Sequence, residues 1–317
     1  MSKAALSNPI FHDADKAREW LEARLWKDGP VCPKCGTVGE ATLMQGKSHR
    51  PGLYQCNACR EPFTVTVGTL YERSKIPLNK WLAATHLMMA SKNGISALEI
   101  GRLLGISKKS SWFLCHRIRE SLRQTDLSPM GGEGKFVEAD ETFIGGKEKN
   151  KHRHQRGKFI GGSYGKDTVF ALVERKGQVR SQHVTSVTAS TLRPILVAQV
   201  KGDTFLVTDD AGQYRHMAKD FPAHEVVNHS TAEYVRGDFH TNTIEGFFSV
   251  LKRGIGGTFH HVSQQHLKRY LAEFDFRYNN RAKLGVDDVE RFEKSIPGIV
   301  GKRLTYRRIN GQAAAQG

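Results

Sequence analysis

Two cysteine pairs near the N-terminus constrain the fold of this chain more than any other feature. Cys32 and Cys35 form one C-x₂-C pair, Cys56 and Cys59 form a second, and 20 residues (36–55) separate them. Each pair turns two thiolates toward one point, so the four can surround one Zn²⁺ ion tetrahedrally. Disulfides or buried free thiols are the alternatives, and disulfides are disfavoured because no secretion signal is visible. We expect a closed structural zinc site that folds a small module.

The charge balance points to a polyanionic partner. The 317 residues include 48 Lys and Arg against 32 Asp and Glu, which leaves a net charge of +16. Such an excess is typical of a chain that binds nucleic acid, although a basic enzyme with a solvated surface has the same balance. The sequence shows no apolar run near 18 residues and no apolar signal region at its start. We therefore expect a cytoplasmic protein without a membrane span.

Three helices are predicted after the cysteine module. Apolar spacing places one from Leu78, a second from about Ser96, and a third over 108–122 after a short turn at Gly105. Helix, short glycine-containing turn and helix is the helix-turn-helix spacing, which an ordinary three-helix bundle shares. The buried positions predicted for the second helix are Ala97, Ile100, Leu103 and Leu104. The third helix offers three basic side chains to DNA: Lys108, Lys109 and Arg117.

Strands and helices alternate in the second half of the chain. A strand over 135–144 contains Asp140, a later strand over 204–208 ends at Asp209 and Asp210, and a helix opening at Asn242 carries Glu245. Two further strands (168–174 and 178–185) and a helix from Ala189 are predicted between them. This order of elements is that of a ribonuclease-H-like domain, an α/β fold with a mixed sheet.

Three carboxylates from two strands and a helix would form an oxygen-only metal site. Asp140, Asp209 and Glu245 suit Mg²⁺ or Mn²⁺, and two such ions can clamp both oxygens of an in-line phosphoryl transfer. Lys252 lies two helical turns beyond Glu245 on the same side and could contact a substrate phosphate. Taken singly, each carboxylate also has a structural explanation, in a strand, a turn or a helix N-terminus.

Three segments carry a resemblance to a known family. Residues 137–147, Thr208-Asp209 with Tyr214, and residues 241–253 resemble bacterial insertion-sequence DDE transposases, in the subgroup with a zinc ribbon and an extra lysine after the glutamate. The likeness spans Cys32 to Arg281. It implies a catalytic triad of Asp140, Asp209 and Glu245 with Lys252 as the fourth signature residue, and Asp210 stays open as an alternative to Asp209.

The resemblance also implies an activity and partners. A transposase would cleave the terminal repeats of its element, transfer the free 3′-OH to target DNA, and work as a homodimer or larger assembly on DNA. The alternatives are a non-enzymatic DNA-binding protein derived from a transposase, and a metal-dependent nuclease without strand transfer. Two basic stretches beside the acidic residues are expected to hold DNA, or to be merely solvated. Their DNA-binding candidates are Lys147, Lys149, Lys151, Arg153, Arg156 and Arg253.

The expected organisation is α+β and multi-domain. The boundaries place a zinc ribbon with an N-terminal helix over 1–72, the helix-turn-helix module over 73–125 and a linker over 126–134. The ribonuclease-H-like domain follows over 135–290, and a C-terminal tail over 291–317.

Overall fold

The computed structural model describes residues 5–125, 127–146, 165–227, 235–236 and 239–305. The chain divides into two compact units. The N-terminal unit comprises Met1–Ala90, Ala97–Leu122 and Asp288–Gly317, and the sheet unit comprises Ser91–Ser96 and Arg123–Asp287. None of the helices in the described ranges is long and apolar enough to span a membrane.

The N-terminal unit begins with the cysteine module. Helix α1 (Ala14–Leu25) starts at Asp13, whose carboxylate accepts hydrogen bonds from the amides of Asp15 and Lys16 at 2.8 and 3.1 Å. A three-stranded antiparallel sheet follows, formed by β1 (Ala41–Leu43), β2 (Tyr54–Cys56) and β3 (Pro62–Phe63). The rings of Trp26, Tyr54 and Phe63 pack against one another within 6 Å beside the cysteines.

Three helices follow, with bounds close to those predicted: α2 (Leu78–Ala90), α3 (Ala97–Leu104) and α4 (Lys108–Ser121). The turn between α3 and α4 uses Gly105 at φ +60°, and the Ser107 hydroxyl caps α4 by accepting from the Ser110 amide at 3.2 Å. Gly101 faces α4 so closely that a Cβ there would lie 2.9 Å from the Ser111 Oγ.

One buried position predicted for α3 is wrong. Leu103 is 60% exposed, whereas Ile100 and Gly101 are buried. Gly101 is the point at which α3 touches α4, and Leu103 lies about 200° further round the helix, so it faces away from the contact.

The segment predicted as a C-terminal tail is instead built into the N-terminal unit. Helix α8 (Asp288–Ser295) packs against α2, and Arg291 donates to the Met89 carbonyl at 2.9 Å. The buried side chains of this segment recur at helical spacing, a pattern that the sequence already contained: Phe292, Ile296 and Ile299. Burying this apolar stripe removes it from water, which favours packing over a free tail.

The sheet unit contains five strands in the order β6-β5-β4-β7-β8. Their bounds are Phe136–Ile144 (β4), Asp167–Glu174 (β5), Val179–Val184 (β6), Phe205–Asp209 (β7) and His224–Val227 (β8). The pairs β4–β5 and β5–β6 are antiparallel, while β4–β7 and β7–β8 are parallel. The mixed ribonuclease-H-like sheet is therefore confirmed, with β8 as a strand that the sequence did not reveal.

Helices cover both faces of this sheet. Helix α5 (Ala189–Gln199) buries Leu192 and Leu196 on one face, together with Val137 and Leu206 of the sheet. Helices α6 (Asn242–Arg253) and α7 (Gln264–Asn279) cover the other face. Because side chains alternate along a strand, Glu138 and Asp140 lie on the α6–α7 face when Val137 faces α5.

Three connecting segments of the sheet unit are ordered into defined structure. The residues from Met130 onward belong to the sheet unit rather than to a linker, because Met130 is buried and its carbonyl accepts from the Lys201 amide at 3.0 Å. Residues after Arg253 continue as a π-helix (Gly254–Phe259), with Gly254 packed against the Phe274 ring. Strands β9 (Val235–Arg236) and β10 (Phe239–His240) form a short hairpin. Short 3₁₀ helices cover Ala5–Ser7, Pro9–Phe11, Gly212–Tyr214, Met217–Lys219, Ala282–Leu284 and Pro297–Ile299.

Candidate zinc centre and acidic site

The four cysteines of the N-terminal module converge as predicted. Cys32 Sγ lies 3.7 Å from Cys59 Sγ, Cys35 Sγ lies 3.6 Å from Cys56 Sγ, and all four sulfurs lie within 4.8 Å of one another. A tetrahedron of sulfurs about 2.3 Å from a central Zn²⁺ has edges of about 3.8 Å, so the spacing fits structural zinc. Hydrogen bonds from Thr37 lower the pKa of the Cys35 thiol to about 6, which favours the thiolate that zinc requires. Cys115 is buried in α4, away from this cluster.

The sheet brings Asp140 and Asp209 side by side. Strands β4 and β7 pair in parallel with Glu138 opposite Val207, and the same register continued by two residues sets Asp140 opposite Asp209. Neighbouring strands are about 4.8 Å apart, and both side chains point to the α6–α7 face. Asp210 is exposed and follows the last residue of β7, so alternation directs it elsewhere. Continued in this way, the register favours Asp209 over Asp210 as the neighbour of Asp140.

Glu245 approaches the same point from the first turn of α6. The Thr241 hydroxyl donates to its Oε1 at 3.1 Å. Burial, together with the negative charges of Glu141, Asp209 and Glu245, raises the pKa of Asp140 to about 7, although the Glu141 amide donates to its Oδ1 at 2.7 Å. Carboxylates that repel one another in a partly buried site fit a divalent cation, which would neutralise them.

The acidic site is more open than the cysteine site. Within the described ranges, the cysteines are the one group of three or more metal-ligating side chains whose ligand atoms all lie within 4.8 Å of one another. Lys252 and Arg253 are exposed toward the end of α6, and Arg253 donates to the Ser249 hydroxyl at 3.3 Å. Both cations are therefore accessible to a phosphate.

Two glutamates that flank Asp140 were missed by the sequence analysis. Glu138 is fully buried, and its carboxylate accepts hydrogen bonds from the α6 amides and from Arg175. Glu141 accepts from the Tyr214 hydroxyl at 2.5 Å and from the Gln213 amide group. The signal was present, because carboxylates are poor strand residues and this strand carries three of them.

The DNA-binding candidates on α4 separate into two groups. Lys108 and Lys109 are exposed at its N-terminal end. Arg117 is 7% exposed, donates to the Glu72 carbonyl at 2.9 Å, and stacks over the Trp81 ring at 5.3 Å. The prediction that Arg117 contacts DNA is therefore wrong for this structure. Most side chains in the C-terminal half of α4 are buried, Arg117 and Arg119 among them.

Five further candidates lie outside the described residues. They fall within residues 147–164: Lys147, Lys149, Lys151, Arg153 and Arg156.

Comparisons with known proteins agree with this organisation. A transposase zinc-ribbon model matches residues 12–61, and an ISXO2-like transposase domain matches residues 131–279. A protein of the transposable element ISH50 from Halobacterium salinarum is 28% identical over 277 residues, covering 84% of this chain and 91% of that protein. A transposase-like protein of Haemophilus influenzae is 30% identical over 105 residues, covering 33% of this chain and 84% of that protein.

Two solved structures are more distantly similar. A chain of the pre-cleavage Mos1 transpososome is 12% identical with a TM-score of 0.29, covering 69% of this chain and 75% of that chain. A chain of the simian T-cell lymphotropic virus intasome is 13% identical with a TM-score of 0.27, covering 54% of this chain and 61% of that chain. The family assignment rests on the sequence matches.

A zinc ribbon followed by a ribonuclease-H-like transposase domain defines the class, which is that of the insertion-sequence transposases. Within that class, the chain is similar to the IS1595 group, whose zinc-ribbon and transposase domain models are the two that match.

Proposed function

We propose that this transposase cleaves the DNA ends of its own insertion sequence and joins the freed 3′-OH to target DNA at the acidic site. The observation that carries the proposal is the parallel pairing of β4 and β7 up to Glu138 and Val207, a register that sets Asp140 opposite Asp209 when it is continued by two residues. Glu245 adds a third negative charge, which contributes to the raised pKa of Asp140. Such an oxygen-only set is the kind that binds two Mg²⁺ or Mn²⁺ ions in phosphoryl-transfer enzymes.

Each residue of the acidic site would have a defined task. Asp140, Asp209 and Glu245 would hold the cations, which when bound would stabilise the charge on the attacking and leaving oxygens. Lys252 would contact a DNA phosphate next to them, because it is exposed on the helix that carries Glu245. Arg253, its exposed neighbour, would extend that contact along the backbone.

DNA recognition would fall to the N-terminal unit. Lys108 and Lys109 are exposed at the start of α4, which is the end of a recognition helix that reaches base edges and phosphates. The net charge of +16 would favour binding to the terminal repeats and to target DNA. A homodimer or larger assembly would hold two ends at once, and the protein would act in the cytoplasm, where bacterial DNA lies.

The test uses the purified zinc-loaded protein with labelled DNA that carries the sequence flanking its own gene. With Mg²⁺ present, unaltered protein should release a free 3′-OH end and then yield a joined product. Asp140→Asn and Glu245→Gln should each lower cleavage by at least about 100-fold, roughly 2.7 kcal/mol, while DNA binding in a mobility-shift assay is unchanged. Cleavage that persists in Asp140→Asn would contradict the acidic site, and cleavage without joining would indicate a nuclease.

A further inference from the structure

The strand that carries Asp140 also carries two glutamates whose carboxylate oxygens all accept hydrogen bonds from protein donors. We propose that Glu138 and Glu141 are positioning residues, which fix Glu245 and Asp209 respectively relative to Asp140. This inference rests on the proposed function of the acidic site and assigns how its three carboxylates are held together.

Glu138 fixes the start of α6. Its Oε2 accepts hydrogen bonds from the amides of Thr243 and Ile244, both at 2.9 Å. These amides lie in the first turn of the helix and have no acceptor within it. The negative carboxylate also interacts favourably with the positive end of the helix dipole. Glu245 is the next residue along the chain, so a shift of this turn would move its carboxylate away from Asp140.

Arg175 makes the burial of Glu138 tolerable. Its Nε donates to the Glu138 Oε1 at 2.7 Å, its Nη2 donates to the His240 carbonyl at 2.8 Å, and its guanidinium lies 4.7 Å from the centre of the Phe136 ring. A fully buried carboxylate without such a partner would be costly. With both oxygens engaged by protein donors, Glu138 is held as a structural anion and not as a metal ligand.

Glu141 performs the matching task for Asp209. Its Oε2 accepts from the Tyr214 hydroxyl at 2.5 Å, and its Oε1 accepts from the Gln213 amide group. Those two residues belong to the 3₁₀ helix Gly212–Tyr214, which begins three residues after Asp209. The Ala211 amide, at the start of this turn, donates to the Asp209 Oδ1 at 3.2 Å. Glu141 therefore anchors the turn that orients the Asp209 carboxylate.

The two glutamates use opposite faces of β4. Glu138 and Asp140 are two residues apart and share the α6–α7 face, whereas Glu141 is an odd number of residues from both and points to the other face. Strand β4 thus carries the candidate ligand Asp140 together with Glu138, which holds the start of α6, and Glu141, which holds the turn after β7. In other metal sites, mutating a residue that hydrogen-bonds to the ligands or their supports lowers metal affinity or activity by roughly 10–100-fold.

The experiment measures metal affinity separately from activity. Glu138→Gln and Glu141→Gln are compared with Glu174→Gln, a matched control on β5 that lies opposite Val137 and accepts from Lys135 and the Gly131 amide. Mn²⁺ affinity of the zinc-loaded, full-length protein is measured by calorimetry, and the Mn²⁺ midpoint of DNA cleavage is measured in parallel. Amide hydrogen exchange is followed at Thr243 and Ile244. Tyr214→Phe removes one donor to Glu141 and serves if Glu141→Gln does not fold.

We expect Glu138→Gln and Glu141→Gln to weaken Mn²⁺ affinity by roughly 10–100-fold and to raise the cleavage midpoint equally, with cleavage recovering at high Mn²⁺. Faster exchange at Thr243 and Ile244 is expected in Glu138→Gln alone. A variant that was merely unstable would lose active fraction without moving the midpoint. Affinities equal to that of Glu174→Gln would overturn the inference. The calorimetric readout holds even when no cleavage occurs, so failure of the proposed function is recognised separately, by cleavage that survives Asp140→Asn.

Discussion

Cys32 Sγ lies 3.7 Å from Cys59 Sγ, although the two residues are 27 positions apart in the chain. The contact closes a module whose three strands are only two or three residues long. Its buried cluster consists of Cys32, Cys56 and Phe63, with a few half-buried neighbours. So small a core supplies little hydrophobic stabilisation, and the metal is needed to hold the strands together.

Zinc removal should therefore unfold this module. We expect one zinc per chain in the unaltered protein, and none in Cys35→Ser or Cys56→Ser, because loss of one thiolate opens the tetrahedron. Atomic emission spectroscopy gives the zinc content, and thermal unfolding gives the stability. Cys115→Ser, which alters the buried cysteine of α4, should retain its zinc. A full complement of zinc in Cys35→Ser would exclude the four-cysteine site.

Asp209 and Asp210 should differ sharply in their effect on cleavage. Asp209→Asn removes the carboxylate that register places beside Asp140, and we expect at least about 100-fold slower cleavage. Asp210→Asn changes the exposed neighbour and should stay within about threefold of the unaltered protein, since surface changes are usually mild. Single-turnover cleavage at saturating DNA is the measurement. The reverse ranking would mean that β4 and β7 do not keep their register beyond Val207.

Substitutions of the basic residues of α4 should affect two different properties: DNA affinity at Lys108 and Lys109, and stability at Arg117. Lys108→Ala combined with Lys109→Ala should weaken binding and lower the slope of log affinity against log salt by about 2, because each lysine would neutralise one phosphate. Arg117→Ala should instead lower the free energy of unfolding by about 1–3 kcal/mol, because it leaves the Glu72 carbonyl without its charged donor. Fluorescence anisotropy at several salt concentrations and denaturant unfolding give the two quantities. A reduced salt slope in Arg117→Ala would restore that residue to the DNA interface.

Asp275 should make stability depend on pH. Burial raises its pKa to about 7, against hydrogen bonds from the Ser181 amide at 2.8 Å and hydroxyl at 2.6 Å that lower it. The pKa of Asp275 in the folded protein exceeds the unfolded value of about 3.9, so protonation of Asp275 stabilises the fold. This contribution to the free energy of unfolding is complete below about pH 4 and is lost progressively as the pH rises to about 7. Between these pH values, the free energy of unfolding falls by at most about 1.4 kcal/mol per pH unit because of Asp275.

The matched variant is Asp275→Asn, which keeps the Ser181 contacts without a titrating group. Its unfolding free energy relative to the unaltered protein should rise between about pH 4.5 and about pH 8, as measured by denaturant unfolding at both values. Other titrating groups are common to both proteins and cancel in the difference. A difference that does not change with pH would show that Asp275 is ionised throughout.

The local sequence pattern was sufficient to predict most of the helices and strands. The strand expected over 204–208 is observed as Phe205–Asp209, and the helix expected over 108–122 as Lys108–Ser121. The cysteine spacing likewise predicted a site that the sulfur distances fit. Such features depend on residues close together in the chain, where periodicity and short spacings restrict what the backbone can do.

What the sequence determined by itself, then, is most of the elements, the zinc ligands and the candidate acidic residues. Only the tertiary structure decided the strand register and the burial of individual side chains, because both depend on contacts between distant parts of the chain. The Thr243 amide and Glu138 are 105 positions apart, and the Arg117 and Glu72 contact spans 45. Contacts across such separations cannot be read from spacing, so the burial of Arg117 and the hydrogen bonds from α6 to Glu138 came from packing alone.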